Sequence, residues 1–120
     1  LSCWMVEQLG PEVPLHFSAF HPDWKMRDVE RTPHQTLIRA REIALANGIH
    51  HVYLGNVHDQ QGSSTYCHAC GQILIGRDWY VLSDWNLDSQ GRCSNCLEPC
   101  PGHFEPTPGN WGSRRKPVQV

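Results

Sequence analysis

The chain has 120 residues, 39% of them hydrophobic and 18% charged, with a formal net charge of −2. Leu, Ile, Val and Phe make up 26 of the 120, just above the roughly 20% level below which chains tend to stay disordered, so one small folded domain is expected. The weakly acidic balance argues against wrapping nucleic acid, where a basic domain is the rule, and no apolar run approaches the roughly 18 residues of a membrane span or looks like a signal peptide.

Ser2 to Leu9 reads as the end of a helix, with Gly10 as its C-terminal cap and Pro11 stopping it. Val13 to Phe20 reads as a strand with Val13, Leu15, Phe17 and Ala19 on an apolar face and His16, Ser18 and Phe20 on the other. A loop over residues 21–27 follows. Thr32-Pro33-His34-Gln35 opens a helix: Thr32 is placed as N-cap, Pro33 at the first helical position and Gln35 for a capping box. Leu37, Ile38, Ala40, Ala44 and Leu45 form its buried stripe, and Asn47-Gly48 ends it. Ile49 to Val57 is a second strand, and His58 to Ser64 a polar loop. Strand, crossover helix and strand make a βαβ unit with parallel strands. A lone parallel pair is a poor fold, so the unit is expected to be the last turns of a larger α/β barrel or sheet.

The second part, residues 65–97, reads as a small β module. Gln72–Ile75 and Tyr80–Leu82 are short strands around a turn at Gly76-Arg77-Asp78, and Asp88-Ser89-Gln90-Gly91 has type I turn chemistry. Cys67-x2-Cys70-Gly71 and Cys93-x2-Cys96 stand 22 residues apart. A C-x2-C pair folds into a tight knuckle that brings both sulfurs to one ion, and two knuckles complete a closed tetrahedral S4 site whose role is structural. Zn2+ fits such a site better than Fe, and metal-bound thiolates point to the cytoplasm. Gly71 suits the positive φ of a knuckle; Leu97, at the matching place, suits it less. Cys100 extends the second pair to C-x2-C-x3-C. The third part, residues 98–120, carries 5 Pro, 3 Gly and the run Arg114-Arg115-Lys116, and is expected to be a flexible tail.

In parallel α/β folds ligands bind at the carboxyl ends of the strands. Those ends here are Ala19-Phe20-His21-Pro22 and Gly55-Asn56-Val57-His58-Asp59, with Gly55 open to close approach and His16 and Ser18 on the neighbouring polar face. The same groups also suit hydrogen-bonded loops.

Val13-Pro14-Leu15-His16-Phe17-Ser18-Ala19-Phe20-His21-Pro22-Asp23-Trp24-Lys25-Met26, Tyr53-Leu54-Gly55-Asn56-Val57-His58-Asp59 and the Cys67–Cys96 module together resemble the C-terminal third of the AmmeMemoRadiSam system radical SAM enzymes. These are similar in turn to pyruvate formate-lyase activating enzymes. The resemblance covers about residues 1–105. It implies the end of a partial (βα) barrel over residues 1–64, followed by a zinc-ribbon or rubredoxin-like module. It further implies a parent enzyme whose 4Fe-4S cluster cleaves S-adenosylmethionine (SAM) to a radical. By the same resemblance His21 lies at the SAM site, and His16, Asn56 and His58 face the pocket. The implied partners are the preceding barrel portion and a protein substrate.

The family's C-x3-C-x2-C cluster motif is absent; Cys93, Cys96 and Cys100 carry the reverse spacing. A chain that begins at Leu1, with Met5 its first methionine, is therefore expected to be part of a longer enzyme and not catalytic alone. A stand-alone zinc-ribbon module that binds protein or nucleic acid is the alternative, supported by the cysteines and the basic run near the C-terminus. A zinc hydrolase using His58 and Asp59 ranks last, because no H-E-x-x-H or H-x-x-E-H pattern is present.

Overall fold

The computed structural model describes residues 1–110, 112–115 and 117–119. Lys116 of the basic run, and Trp111 and Val120 of the tail, lie outside the described residues. The architecture is a small mixed α/β fold. Helix α1 (Ser2–Leu9), strand β1 (Leu15–Ser18), helix α2 (His34–Ala46) and strand β2 (Val52–Gly55) come first. Then follow a helical turn α3 (Gln60–Ser63) and strands β3 (Thr65–Tyr66), β4 (Ile73–Asp78) and β5 (Val81–Trp85).

Helix α1 ends as expected. Gly10 sits at φ 92, and its N–H donates to the carbonyls of Met5 and Val6. Strands β1 and β2 pair in parallel, Leu15 opposite Val52 and Ser18 opposite Gly55. Their partnership puts Leu15, Phe17, Val52 and Leu54 on one face, against two clusters: Met5, Ala44 and Ile49, and Ala19, Leu37 and Val57. His16 and Ser18 stand on the other, exposed face. Both strands are shorter than the pattern suggested, because the ladder ends where the chain turns to loops. Leu45, expected in the buried stripe of α2, is 36% exposed.

The start of α2 departs from the expected cap. Pro33 is the N-cap, in extended conformation, and no side chain caps the helix. Thr32 instead closes the 21–31 loop onto the end of β1: its Oγ1 accepts from Phe20 N at 2.8 Å, and its N–H donates to Phe20 O at 3.1 Å. Pairing with the strand satisfies Thr32 twice, which a cap would do once. Gly76-Arg77-Asp78 is not a turn but the end of β4, with an irregularity in register between Gly76 and Arg77. A glycine within a strand marks such a bulge. The reversal lies at Trp79-Tyr80, between paired Asp78 and Val81, with Trp79 at φ 57. The 58–64 loop contains the turn α3, capped by Asp59, whose carboxylate accepts from Gly62 N at 2.8 Å.

Strands β3, β4 and β5 form an antiparallel sheet. Its core is Cys67, Leu74, Ile75, Leu87, Cys93 and Cys100, with Trp85 and Phe104 packed against it. Residues of the expected tail therefore belong to the module: Pro99 bridges to Arg92, and Cys100 N donates to Gly91 O. No described helix is long and apolar enough to cross a membrane.

Thr32→Val should destabilise the chain by about 1 kcal/mol, the net worth of one hydrogen bond, and should speed amide exchange at Phe20. Thr32→Ser should restore both. Faster exchange confined to the first turn of α2 would instead mark Thr32 as its cap.

Candidate metal centre

The two C-x2-C segments fold alike. In the first, Gly71 N donates to Cys67 O at 2.8 Å and Cys67 N to Gln72 O at 2.8 Å; in the second, Leu97 N donates to Cys93 O at 2.9 Å and Cys93 N to Glu98 O at 2.9 Å. Gly71 has φ 78 and Leu97 φ 64. Leu97 thus takes the left-handed conformation that its sequence disfavours, because the knuckle geometry dictates it. In each knuckle the first cysteine is buried (Cys67, Cys93) and the second exposed (Cys70, Cys96). Asn86 fastens the second knuckle to β4: its N–H donates to Leu74 O, its Nδ2 to Ile73 O, and its carbonyl accepts from Ser94 N.

The four sulfurs lie within 4.8 Å of one another, with Cys67 Sγ to Cys96 Sγ and Cys70 Sγ to Cys93 Sγ both at 3.6 Å. A tetrahedron with metal–sulfur bonds of about 2.3 Å has edges of roughly 3.8 Å. All four cysteines are free thiols, and the spacing far exceeds the roughly 2.05 Å of a disulfide. The donor set fits a closed, structural Zn2+ site. Cys100, buried beside it and outside the set of four, has its thiol pushed up by burial and by Cys67 and Cys93.

The sulfurs resist ionising together. The Gln72 N–H and the Asn95 side chain stabilise the Cys70 thiolate and bring it down to about 6. The Glu98 N–H favours the Cys96 thiolate too, but desolvation and the hydrogen bonds with Cys67, Cys70 and Cys93 outweigh it and push Cys96 up to about 12. A divalent cation relieves that opposition and releases protons as it binds.

The strand-end residues are dispersed. Asn56, at φ 58, donates from Nδ2 to Ala19 O at 3.0 Å, and lines a cavity of about 300 Å³ with Gly55, Ser63, Trp79 and Tyr80. His16 packs its ring 4.9 Å from Tyr53 and lines a neighbouring cavity with Arg77. His58 is 68% exposed and bonds Asp78 at 2.6 Å, and His21 is exposed in its loop. The space at Gly55 is filled by its cross-strand neighbour, since an added Cβ would stand 3.0 Å from Ser18 Oγ. Asp59 is only 14% exposed. Although desolvation opposes it, the Gly62 N–H and His34 hold its carboxyl below the usual range.

Sequence reasoning missed a further cluster. His50 stacks on His68 at 4.2 Å, nearly parallel, and His51 stands edge-on to both. His51 is buried, and its desolvation, with His68 and His50 beside it, keeps it below the ordinary imidazole value against the pull of Glu12. Only the adjacency of His50 and His51 was visible beforehand; the approach of His68 is a tertiary contact.

The fold and site define a small mixed α/β protein with a four-cysteine, zinc-ribbon-like centre. It is similar to the uncharacterized protein MJ0808 of Methanocaldococcus jannaschii, 47% identical over 93 residues. That match covers 77% of this chain and 28% of the relative, so the chain spans less than a third of it. No family model and no solved structure matches the chain.

Purified chain should hold one Zn2+, and Co2+ should give the absorption of tetrahedral thiolate coordination. Cys67→Ser or Cys96→Ser should abolish that spectrum, and Cys100→Ser should leave it intact. Zn2+ binding should release protons, and the apparent affinity should fall as pH is lowered, because the thiols must ionise to bind. In the loaded chain Leu97→Gly should stabilise by about 0.5–1 kcal/mol and Gly71→Ala should destabilise by about 1 kcal/mol. Thermal unfolding measures both.

Proposed function

We propose that this chain is the C-terminal portion of a radical SAM enzyme, in which residues 1–64 complete the barrel and the cysteine module is a structural zinc-ribbon-like extension. One observation carries this reading. β1 and β2 form a two-stranded parallel sheet with its apolar face covered by helices and its other face, bearing His16 and Ser18, open and polar. Among the described residues no third strand pairs with either. Parallel strands are normally enclosed within larger sheets, and a polar inner face suits strands that line a barrel cavity. The match occupies 28% of the relative MJ0808, which is long enough to hold further strands.

The cysteines present do not fit a SAM-binding cluster. The C-x3-C-x2-C motif is absent, and the four converging sulfurs make a closed site with no open position for SAM. This chain's own contribution is the barrel wall. His21, by resemblance, lies beside SAM, while His16 and Asn56 border the cavities near the strand ends. The hairpin tip Trp79-Tyr80 forms a wall of the cavity at Asn56. The partner is the preceding barrel portion, and a protein substrate follows from the analogy with the activating enzymes.

The test is the coding DNA upstream of the Leu1 codon, together with the activity of the polypeptide it encodes. An in-frame C-x3-C-x2-C, and reductive formation of 5'-deoxyadenosine from SAM by the reconstituted protein, are expected. A start codon at this position with a folded product, or a longer protein that does not cleave SAM, overturns the reading.

A further inference from the structure

A cavity of about 420 Å³ lies where the βαβ unit meets the cysteine module. Its wall includes Arg41, His50, His51, Tyr66, Cys67 and His68, and no carboxylate. His51 is 6% exposed, and its Nε2 and the Nδ1 of His50 are buried without hydrogen-bond partners. Buried polar atoms are nearly always partnered in folded proteins, and both residues line the cavity, so a ligand that reaches these rings would relieve two unpaired nitrogens. Arg41 is fixed in place: its Nε donates to Val52 O at 3.2 Å and its guanidinium lies over the Tyr66 ring at 5.6 Å.

A metal ion is the obvious ligand for three imidazoles, but the geometry disfavours it. His50 and His68 are stacked with 1° between their planes, so their in-plane lone pairs lie in two parallel planes and do not meet at a point. Among the described residues the four cysteines form the group whose ligand atoms converge. An oxyanion has no such requirement, since its several oxygens accept separately from N–H donors arranged around it. Ring centroids 4.2 to 6.4 Å apart are of the scale that one tetrahedral or carboxylate anion spans. Glu98 already engages His68 Nε2 at 3.3 Å, and Glu12 acts on His51, yet neither lines the cavity. The S4 centre beside it carries negative charge of its own, so recognition rests on short-range hydrogen bonds and the Arg41 fork more than on long-range attraction.

We propose that this cavity is a binding site for a small oxyanion, a phosphate or carboxylate group, held by Arg41, His50 and His51 at the junction of the two modules. The proposal rests on the cavity and is independent of the radical SAM reading.

The probe is inorganic phosphate, with acetate in parallel, titrated to about 10 mM into the zinc-loaded chain at constant ionic strength. Imidazole resonances are followed by nitrogen-edited NMR. Saturable shifts at His50 and His51, with His16, His21, His34, His58 and His103 unmoved, are expected with phosphate, acetate or both; the stronger of the two identifies the headgroup. Arg41→Gln should weaken binding about tenfold or more, the loss of a charged hydrogen bond, and Arg41→Lys should lose less. His51→Phe should abolish binding. Arg41→Gln is surface-reaching and keeps the result readable if His51→Phe does not fold, with the Co2+ spectrum as the check on folding. Three results overturn the proposal: no saturable shift with either anion, which leaves ordered water as the partner of these nitrogens; equal shifts at the surface histidines; or a second equivalent of Zn2+ bound by the histidines.

Discussion

Four sulfurs gathered within 4.8 Å oppose one another as soon as they ionise, since like charges at such distances repel by several kcal/mol in a partly desolvated setting. The spread from Cys70 near 6 to Cys96 near 12 expresses that opposition. Much of the second half of the molecule is arranged around overcoming it. Backbone N–H groups of Gln72 and Glu98 reach the outer sulfurs, and both knuckles adopt the same turn, even where Leu97 must take a conformation natural to glycine. A bound cation would complete the arrangement, and coordination would fix the turn from the other side, making the strain at Leu97 tolerable.

The module in turn anchors to the βαβ unit through a polar seam. Arg77 donates from Nη1 to Thr65 Oγ1 at 2.6 Å and to Ser63 O at 3.2 Å, its backbone N–H reaches Ser64 Oγ, and its guanidinium lies over the Tyr53 ring. Tyr53 closes the circuit through its hydroxyl to Thr65 at 2.9 Å. Arg77 therefore joins β4 to β2 and α3, on the open face of the parallel pair. The three histidines and Arg41 line a second junction, where β2 meets the first knuckle. Any change that loosens the knuckle at Cys67 and His68 is transmitted to this cavity, because His68 lies between the two ligands Cys67 and Cys70.

Local chemistry was legible in the sequence where one residue decides the outcome. The C-terminal end of α1, the turn at Asp88–Gly91 and the convergence of Cys67, Cys70, Cys93 and Cys96 all follow from spacing and from residues with few alternatives. Thr32 was misread because a threonine before Pro-His-Gln has two uses, and the end of β1 offered it two hydrogen bonds. Gly76 was misread as turn punctuation because a glycine in a bulge and one in a turn look alike without the partner strand. The histidine cluster was illegible for a different reason: His50 and His68 meet across the fold, and no periodicity or spacing links them. His16 lies on β1 as expected, but Asn56 falls past the end of β2, His58 turns to Asp78 and His21 lies in an exposed loop, since loop side chains follow local hydrogen bonds that a strand pattern does not specify.

The same physics bears on the open sheet face. His16, Ser18 and Tyr53 would be poor choices for a surface meant to be buried in apolar contact, and among the described residues no third strand pairs with either edge of the two-stranded pair. Exposed edges invite pairing with another strand. Under the barrel proposal both features would be reconciled: the polar face would meet ligand and water, and the edge of β1 would meet a further strand of the same sheet. On that reading the helices α1 and α2 form the outer layer, and the apolar clusters around Met5 and Leu37 are the stretch of core between barrel and shell. The cysteine module, bound through Arg77 on the cavity side, then stands where it can limit access to the strand ends, with Trp79 and Tyr80 beside Asn56. A zinc centre suits that post because a closed S4 site fixes a hairpin rigidly without bringing reactive chemistry of its own.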